Sequence, residues 1–289
     1  MNKPNKMLAR FREAQLPGIH RLRALSASGQ LPAPWEFPTR EGRPCFSRAL
    51  RAGGSPAIIA EYKRASPSRG VINTELTPAD VARMYAANGA AAFSVLTEEA
   101  HFQGSLGYLA DMAFAGKPML RKDFLLDPLQ VAETAATPAS ALLLIMRMFD
   151  GADDVREMIG LAAEHGLECV CEVFDEADLD MARWAGAEII QVNNRDLDLL
   201  VTDLDVSRRL VRTRGQGELW ISASGLDCPA QLEEMADLGF DAVLIGTSLM
   251  SRPDPGAALA ELAQVGLERK ARREAERQAA HDGGRSAAR

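Results

Sequence analysis

From Ala57 onward, short runs rich in Ile, Val and Leu alternate with longer segments whose apolar residues recur at helical spacing. The runs fall at 57–61, 91–96, 118–121, 141–145, 168–172, 188–192, 219–222 and 242–245. They are continuously apolar and do not alternate with polar residues, which implies burial on both faces, as in a parallel sheet wrapped by helices. Between and after them the spacing predicts helices at 78–87, 105–113, 128–136, 152–165, 176–184, 203–212, 229–238 and 255–264. Thr77 and Asp127 each precede a proline and supply a capping side chain where the missing proline N–H costs nothing. Gly166 and Gly239 stand where a helix must stop before the next strand.

Eight strand–helix units predict an α/β protein closed as a (β/α)8 TIM barrel over residues 57–266. A doubly wound open sheet would show a GxGxxG turn after its first strand, and this chain has none. Residues 1–56 read as an N-terminal helical extension packing on the barrel, with one helix at 5–14, a second at 19–26 and the Pro-rich stretch LPAPWEFP. Residues 267–289 are charged and free of aromatics, and are expected to be a frayed helix followed by disorder.

Composition narrows the function. The formal charge of -7 argues against a nucleic-acid partner, because binding a phosphate backbone needs a positive face. The first residues contain no apolar run long enough for a signal or a membrane span, so a cytoplasmic protein without membrane association is expected. The four cysteines show no zinc spacing and read as reduced packing residues; no metal site is expected.

In such a barrel, functional groups gather where strands end at the C-terminal face. The first strand delivers Glu61, Lys63 and Ser66, the third Lys122, the fifth Glu172, and the sixth Asn193 and Arg195. Taken singly, strand-end charges are common as solvated rim residues. Together they mark a polar site, since burying several unpaired charges costs several kcal/mol apiece, on the order of the figures for isolated ions, unless they pair or act. Gly225 and Gly246 follow the seventh and eighth strands, where barrels commonly hold a phosphate on backbone N–H groups.

The segments IIAEYKRASPSRG, SVLTEEAHFQGS, PMLRKDF, CEVFDE, IIQVNNRDL and AVLIGTSLM, in this order from Ala57 to Leu262, resemble the signature segments of the indole-3-glycerol-phosphate synthase family. The resemblance implies ring closure, decarboxylation and dehydration of 1-(2-carboxyphenylamino)-1-deoxy-D-ribulose 5-phosphate, a phosphorylated small molecule, with no cofactor. By position it implies that Lys122 is the general acid, Lys63 holds the substrate carboxylate, Glu172 is the base of the dehydration, and Glu61 and Asn193 orient the hydroxyls and lysines. Arg195 is expected to brace this network. Phe102, Phe124, Leu143 and Leu197 resemble the apolar wall for the aromatic ring. Lys63, Ser66, Ser224, Gly225, Gly246 and Thr247 are expected around the phosphate. The family also carries extra N-terminal helices over the mouth, which the leading segment resembles, and a monomer or weak homo-oligomer is expected.

One departure stands out. The family has Glu-Ser-Gly after the seventh strand, and this chain reads Ala223, Ser224, Gly225. Ser140 likewise stands where the family prefers an aspartate. Two other readings are weighed. One is a phosphate-binding barrel that has lost catalysis and acts as a binding protein. The other is phosphoribosylanthranilate isomerase, which would need a cysteine ending the first strand and an aspartate ending the sixth. The lysines, Glu172 and Asn193 speak for an enzyme of the first kind, since a pure binder needs no acid and base together.

Overall fold

The computed structural model describes residues 6–38, 42–197 and 199–286. The first residue of the expected 5–14 helix and the last three of the expected tail lie outside them. Eight strands form a closed, all-parallel barrel: β1 Ala57–Tyr62, β2 Ala92–Leu96, β3 Met119–Lys122, β4 Ala141–Ile145, β5 Glu168–Val173, β6 Ile189–Asn193, β7 Leu219–Ala223 and β8 Ala242–Ile245. Each pairs with its sequence neighbours and β8 closes on β1. The expected strands are all present, displaced by a residue or two at their ends.

The period-two alternation of each strand divides the apolar residues into two cores. Ile59, Ala92, Leu120, Leu143, Val170, Ile189, Ile221 and Leu244 fill the barrel interior. Ile58, Phe93, Leu142, Cys171, Ile190, Trp220 and Val243 point outward into the helix layer. The same alternation aims Glu61, Lys122, Glu172 and Asn193 inward, two or four residues beyond interior apolar positions.

The helices are α1 Lys6–Ala27, α2 Phe46–Ala52, α3 Pro78–Ala87, α4 Glu99–Phe102, α5 Gly107–Met112, α6 Pro128–Ala135, α7 Ala152–Glu164, α8 Glu176–Ala185, α9 Asp205–Leu210, α10 Pro229–Leu238, α11 Thr247–Met250 and α12 Pro255–Ser286. Thr77 and Asp127 cap α3 and α6 through capping boxes with proline in the first turn. Gly166 and Gly239 take positive φ of 66° and 96° just past α7 and α10. The predicted 105–113 and 203–212 helices are shorter α-helices, α5 and α9, each finished by a 3-10 turn. The four-residue α4, which the periodicity does not predict, is held by Glu98, whose carboxylate accepts from the N–H groups of Ala100, His101 and Phe102.

Two expectations are corrected. The helices at 5–14 and 19–26 are one helix, α1, running through Pro17. A proline inside a helix costs about 3 kcal/mol and the adjoining Gly18 about 1 kcal/mol more. Docking offsets this: Leu8, Phe11, Ile19 and Leu22 are buried, Arg23 pairs with Asp127 at 2.8 Å, and Arg21 pairs with Glu133. At the other end α12 continues to Ser286, where a frayed helix followed by disorder is expected. From Leu267 to Ala280 the residues are strong helix formers without Gly or Pro, and Arg269 reaches Asp237 of α10.

Candidate active site

A cavity of about 780 Å³ opens at the C-terminal end of the barrel. All fifteen residues singled out above line it: Glu61, Lys63, Ser66, Phe102, Lys122, Phe124, Leu143, Glu172, Asn193, Arg195, Leu197, Ser224, Gly225, Gly246 and Thr247.

Its floor holds two ion pairs. Lys122 Nζ lies 3.0 Å from Glu172 Oε2, with side chains 17% and 2% exposed. Lys63 Nζ lies 2.7 Å from Glu61 Oε1, and Ser94 Oγ, inward on β2, donates to Glu61 Oε2 at 3.1 Å. Burial pushes the Glu61 carboxyl toward its neutral form, but the charges of Lys63 and Lys122 and the bonds from Lys63 and Ser94 outweigh it and hold Glu61 below the usual carboxylate range. Glu172 accepts two further bonds, from Gln191 Nε2 at 2.5 Å and Asn193 Nδ2 at 3.1 Å. A buried floor on which two lysines pair with two carboxylates can both give and take protons.

The bracing role expected of Arg195 falls to its backbone, whose N–H donates to Asn193 Oδ1 at 3.0 Å, while its guanidinium bonds Leu200 O at 3.2 Å in the loop after β6. Burial first, and then the nearby Arg69, hold the Arg195 guanidinium below the usual arginine range, and two like charges close together at this end of the cavity suit an anion. The next residue, Asn194, turns the other way: its Nδ2 donates to Ser222 Oγ and to the carbonyls of Ala223 and Ser224, and its Oδ1 accepts from Ser207 N. This fixes the Ser224–Gly225 turn, where φ is 71° and 79°. Glycine at 246 allows a close approach: a Cβ there would lie 2.9 Å from Cδ of Glu61 and closer still to its Oε1, so the carboxyl would have to shift.

One wall is aromatic. Phe124, after β3, stacks on Phe11 of α1 with centroids 4.0 Å apart, and Phe102 tilts against both at 6.1 and 6.2 Å. Sequence reasoning missed Phe11 and Met7, which α1 brings to the mouth, and missed Ser94 and Gln191. The last two had a signal: each is a polar residue inside an apolar run, in register with Glu61 and Glu172 on the neighbouring strands. Arg69 and Arg252 at the rim had none beyond their charge. The strand-end cysteine and aspartate needed by the isomerase reading are absent, since β1 and β6 deliver Glu61 and Asn193.

The profile of the family described as indole-3-glycerol phosphate synthase matches residues 37–262. A protein of that name from Desulfosudis oleivorans is 44% identical over 216 residues, covering 74% of this chain and 82% of the relative. Another from Salinibacter ruber is 41% identical over 223 residues, covering 76% and 82%. Among solved structures, 3-hexulose-6-phosphate synthase from Salmonella typhimurium superposes with a TM-score of 0.59 at 16% identity, over 73% of this chain and 99% of that one, a likeness of fold alone. No helix among the described residues is long and apolar enough to cross a membrane.

Proposed function

The chain belongs to the indole-3-glycerol phosphate synthase family and is a carboxy-lyase of tryptophan biosynthesis, and from that premise we propose the part each side chain plays in closing the indole ring. The substrate, 1-(2-carboxyphenylamino)-1-deoxy-D-ribulose 5-phosphate, lies with its phosphate toward Ser66, Ser224, Gly225, Gly246 and Thr247 and its aromatic ring against Phe102, Phe124, Leu143 and Leu197. Polar turns and an aromatic wall lining one cavity support this orientation.

Lys63 holds the carboxylate. As the ring carbon bearing that carboxylate attacks the ketone carbon, Lys122 gives its proton to the ketone oxygen. Departure of carbon dioxide then returns the bonding electrons to the ring. Glu172 takes a proton from the carbon beside nitrogen, that electron pair forms the new double bond, and the hydroxyl leaves as water with a proton from Lys63, so that two protons given by the lysines and one gained by Glu172 account for the one proton the reaction consumes. Glu61 and Asn193 orient the lysines and hydroxyls.

The observation carrying this reading is the Lys122–Glu172 pair, an acid and a base 3.0 Å apart on the buried floor. A monomer or weak homo-oligomer and a cytoplasmic location belong to the same proposal. The test is turnover of the carboxyphenylamino sugar phosphate followed by indole fluorescence. Lys122→Met is expected to lower kcat roughly 10²- to 10⁴-fold with KM little changed, the usual worth of a general acid. A Lys122→Met enzyme within tenfold of the parent removes the lysine from that role.

A further inference from the structure

Gln191 has no part in the chemistry assigned above, yet it approaches the proposed base more closely than Lys122 or Asn193 does. It sits on β6 between Ile189 and Asn193, on the face that looks into the barrel, and it is fully buried. Its Nε2 donates at 2.5 Å to Glu172 Oε2, the same oxygen that meets Lys122. Glu172 shares the cavity with Lys122 of β3, Glu61 and Lys63 of the first strand and its loop, and apolar Leu143 and Ile145 of β4, while Ile221 and Ala223 of β7 stand beside Gln191 and Asn193 in the sheet.

The far end of the same amide is different. Gln191 Oε1 is buried and has no hydrogen-bond partner among the described residues. An ionised carboxylate offers acceptors alone, so an amide beside it must present N–H; a protonated carboxyl also carries a donor, which needs an acceptor. A primary amide holds both kinds of atom, exchanged by a half turn about its terminal bond, a broad and nearly two-fold torsion. A buried acceptor left open is uncommon and calls for a reason.

We propose that Gln191 is a positioning residue that serves both protonation states of Glu172: its N–H holds the carboxylate before proton transfer, and after a half turn its carbonyl receives the O–H that Glu172 has gained. The inference rests on the reading of Glu172 as the base. The proton comes from the substrate and remains on Glu172, so the amide itself neither gains nor loses one. The site thereby keeps one geometry through a step that would otherwise set a new donor against a fixed donor.

The test uses Gln191→Leu and Gln191→Met, which remove both ends of the amide at similar volume, the second retaining the unbranched shape if the first does not fold. The expected result is kcat lower by about tenfold, KM within about twofold, and the acidic limb of the kcat profile displaced to higher pH by up to about one unit, because the bond to the ionised carboxylate is worth more than the bond to the neutral carboxyl and the variant loses the difference. A packing role lowers thermal stability and leaves the limb in place, and that result overturns the proposal, as does kcat within twofold of the parent. Glu172→Gln separates this idea from the one beneath it. If that variant keeps the parent kcat, Glu172 is not the base and both readings fall. If it loses turnover while the Gln191 variants keep the parent's acidic limb, the present proposal falls alone.

Discussion

Replacing Arg121 by leucine removes a cation from behind the proposed acid, and the structure sets the size of the effect. Arg121 faces outward on β3, next to inward Lys122, and is 4% exposed. Its guanidinium reaches Glu133 at 2.9 Å, Asp123 at 3.2 Å, Thr134 Oγ1 at 2.9 Å and the Gln130 carbonyl at 3.3 Å. Removing one member of a buried ion pair costs about 3–5 kcal/mol, because the partner is left charged and unpaired. Here both carboxylates keep some company: Glu133 retains Arg21, and Asp123 retains Thr97 Oγ1, Gln15 Nε2 and its bond from Phe124 N. The expected loss is therefore near the lower end, about 3 kcal/mol, or roughly 6–12 °C in the thermal midpoint of a chain this size. Calorimetric or circular-dichroism melts measure it, with Arg121→Lys as a variant that keeps the charge and loses the fork. A loss below about 1 kcal/mol refutes the account of this cluster as a buried charge network.

Gly246→Ala is expected to push Glu61 away from Lys63, since the new Cβ falls against the carboxyl, and both KM and kcat for the sugar phosphate are expected to worsen; unaltered kinetics would show that Glu61 can move freely. Ser94→Ala removes a donor to ionised Glu61 and is expected to cost about 1.5 kcal/mol at neutral pH. Because Glu61 is held below the usual carboxylate range, the stability its ionised form contributes is present above that range and lost as pH falls through the depressed value. The parent's advantage over Ser94→Ala should accordingly vanish in acid, and urea midpoints that stay apart there would contradict the assignment. Ala223→Glu restores the carboxylate that the family pattern has at this position and is expected to raise turnover or leave it unchanged; a large fall in kcat would show a floor rebuilt around alanine.

Most of the barrel was legible because strands buried on both faces must be written in apolar residues, and because Thr77–Pro78 and Asp127–Pro128 announce helix starts. The site was legible to the extent that its side chains sit at the ends of those strands, where no core position explains a lysine or glutamate. What could not be read depends on contacts distant in sequence. Pro17 looks like a break until Leu8 and Phe11 find the mouth and Ile19 and Leu22 are buried in turn. Phe11 gives no local sign that it will stack on Phe124. The Arg195 guanidinium could have joined the ion pairs of the floor or its own loop, and the loop geometry after β6 decided for Leu200.

The two asparagines at the end of β6 carry opposite duties because adjacent residues of a pleated strand look to opposite sides: Asn193 meets Glu172, and Asn194 secures the turn after β7. Inserting or deleting one residue upstream in this strand would trade their orientations, stripping a donor from the carboxylate and freeing the turn after β7 in a single event.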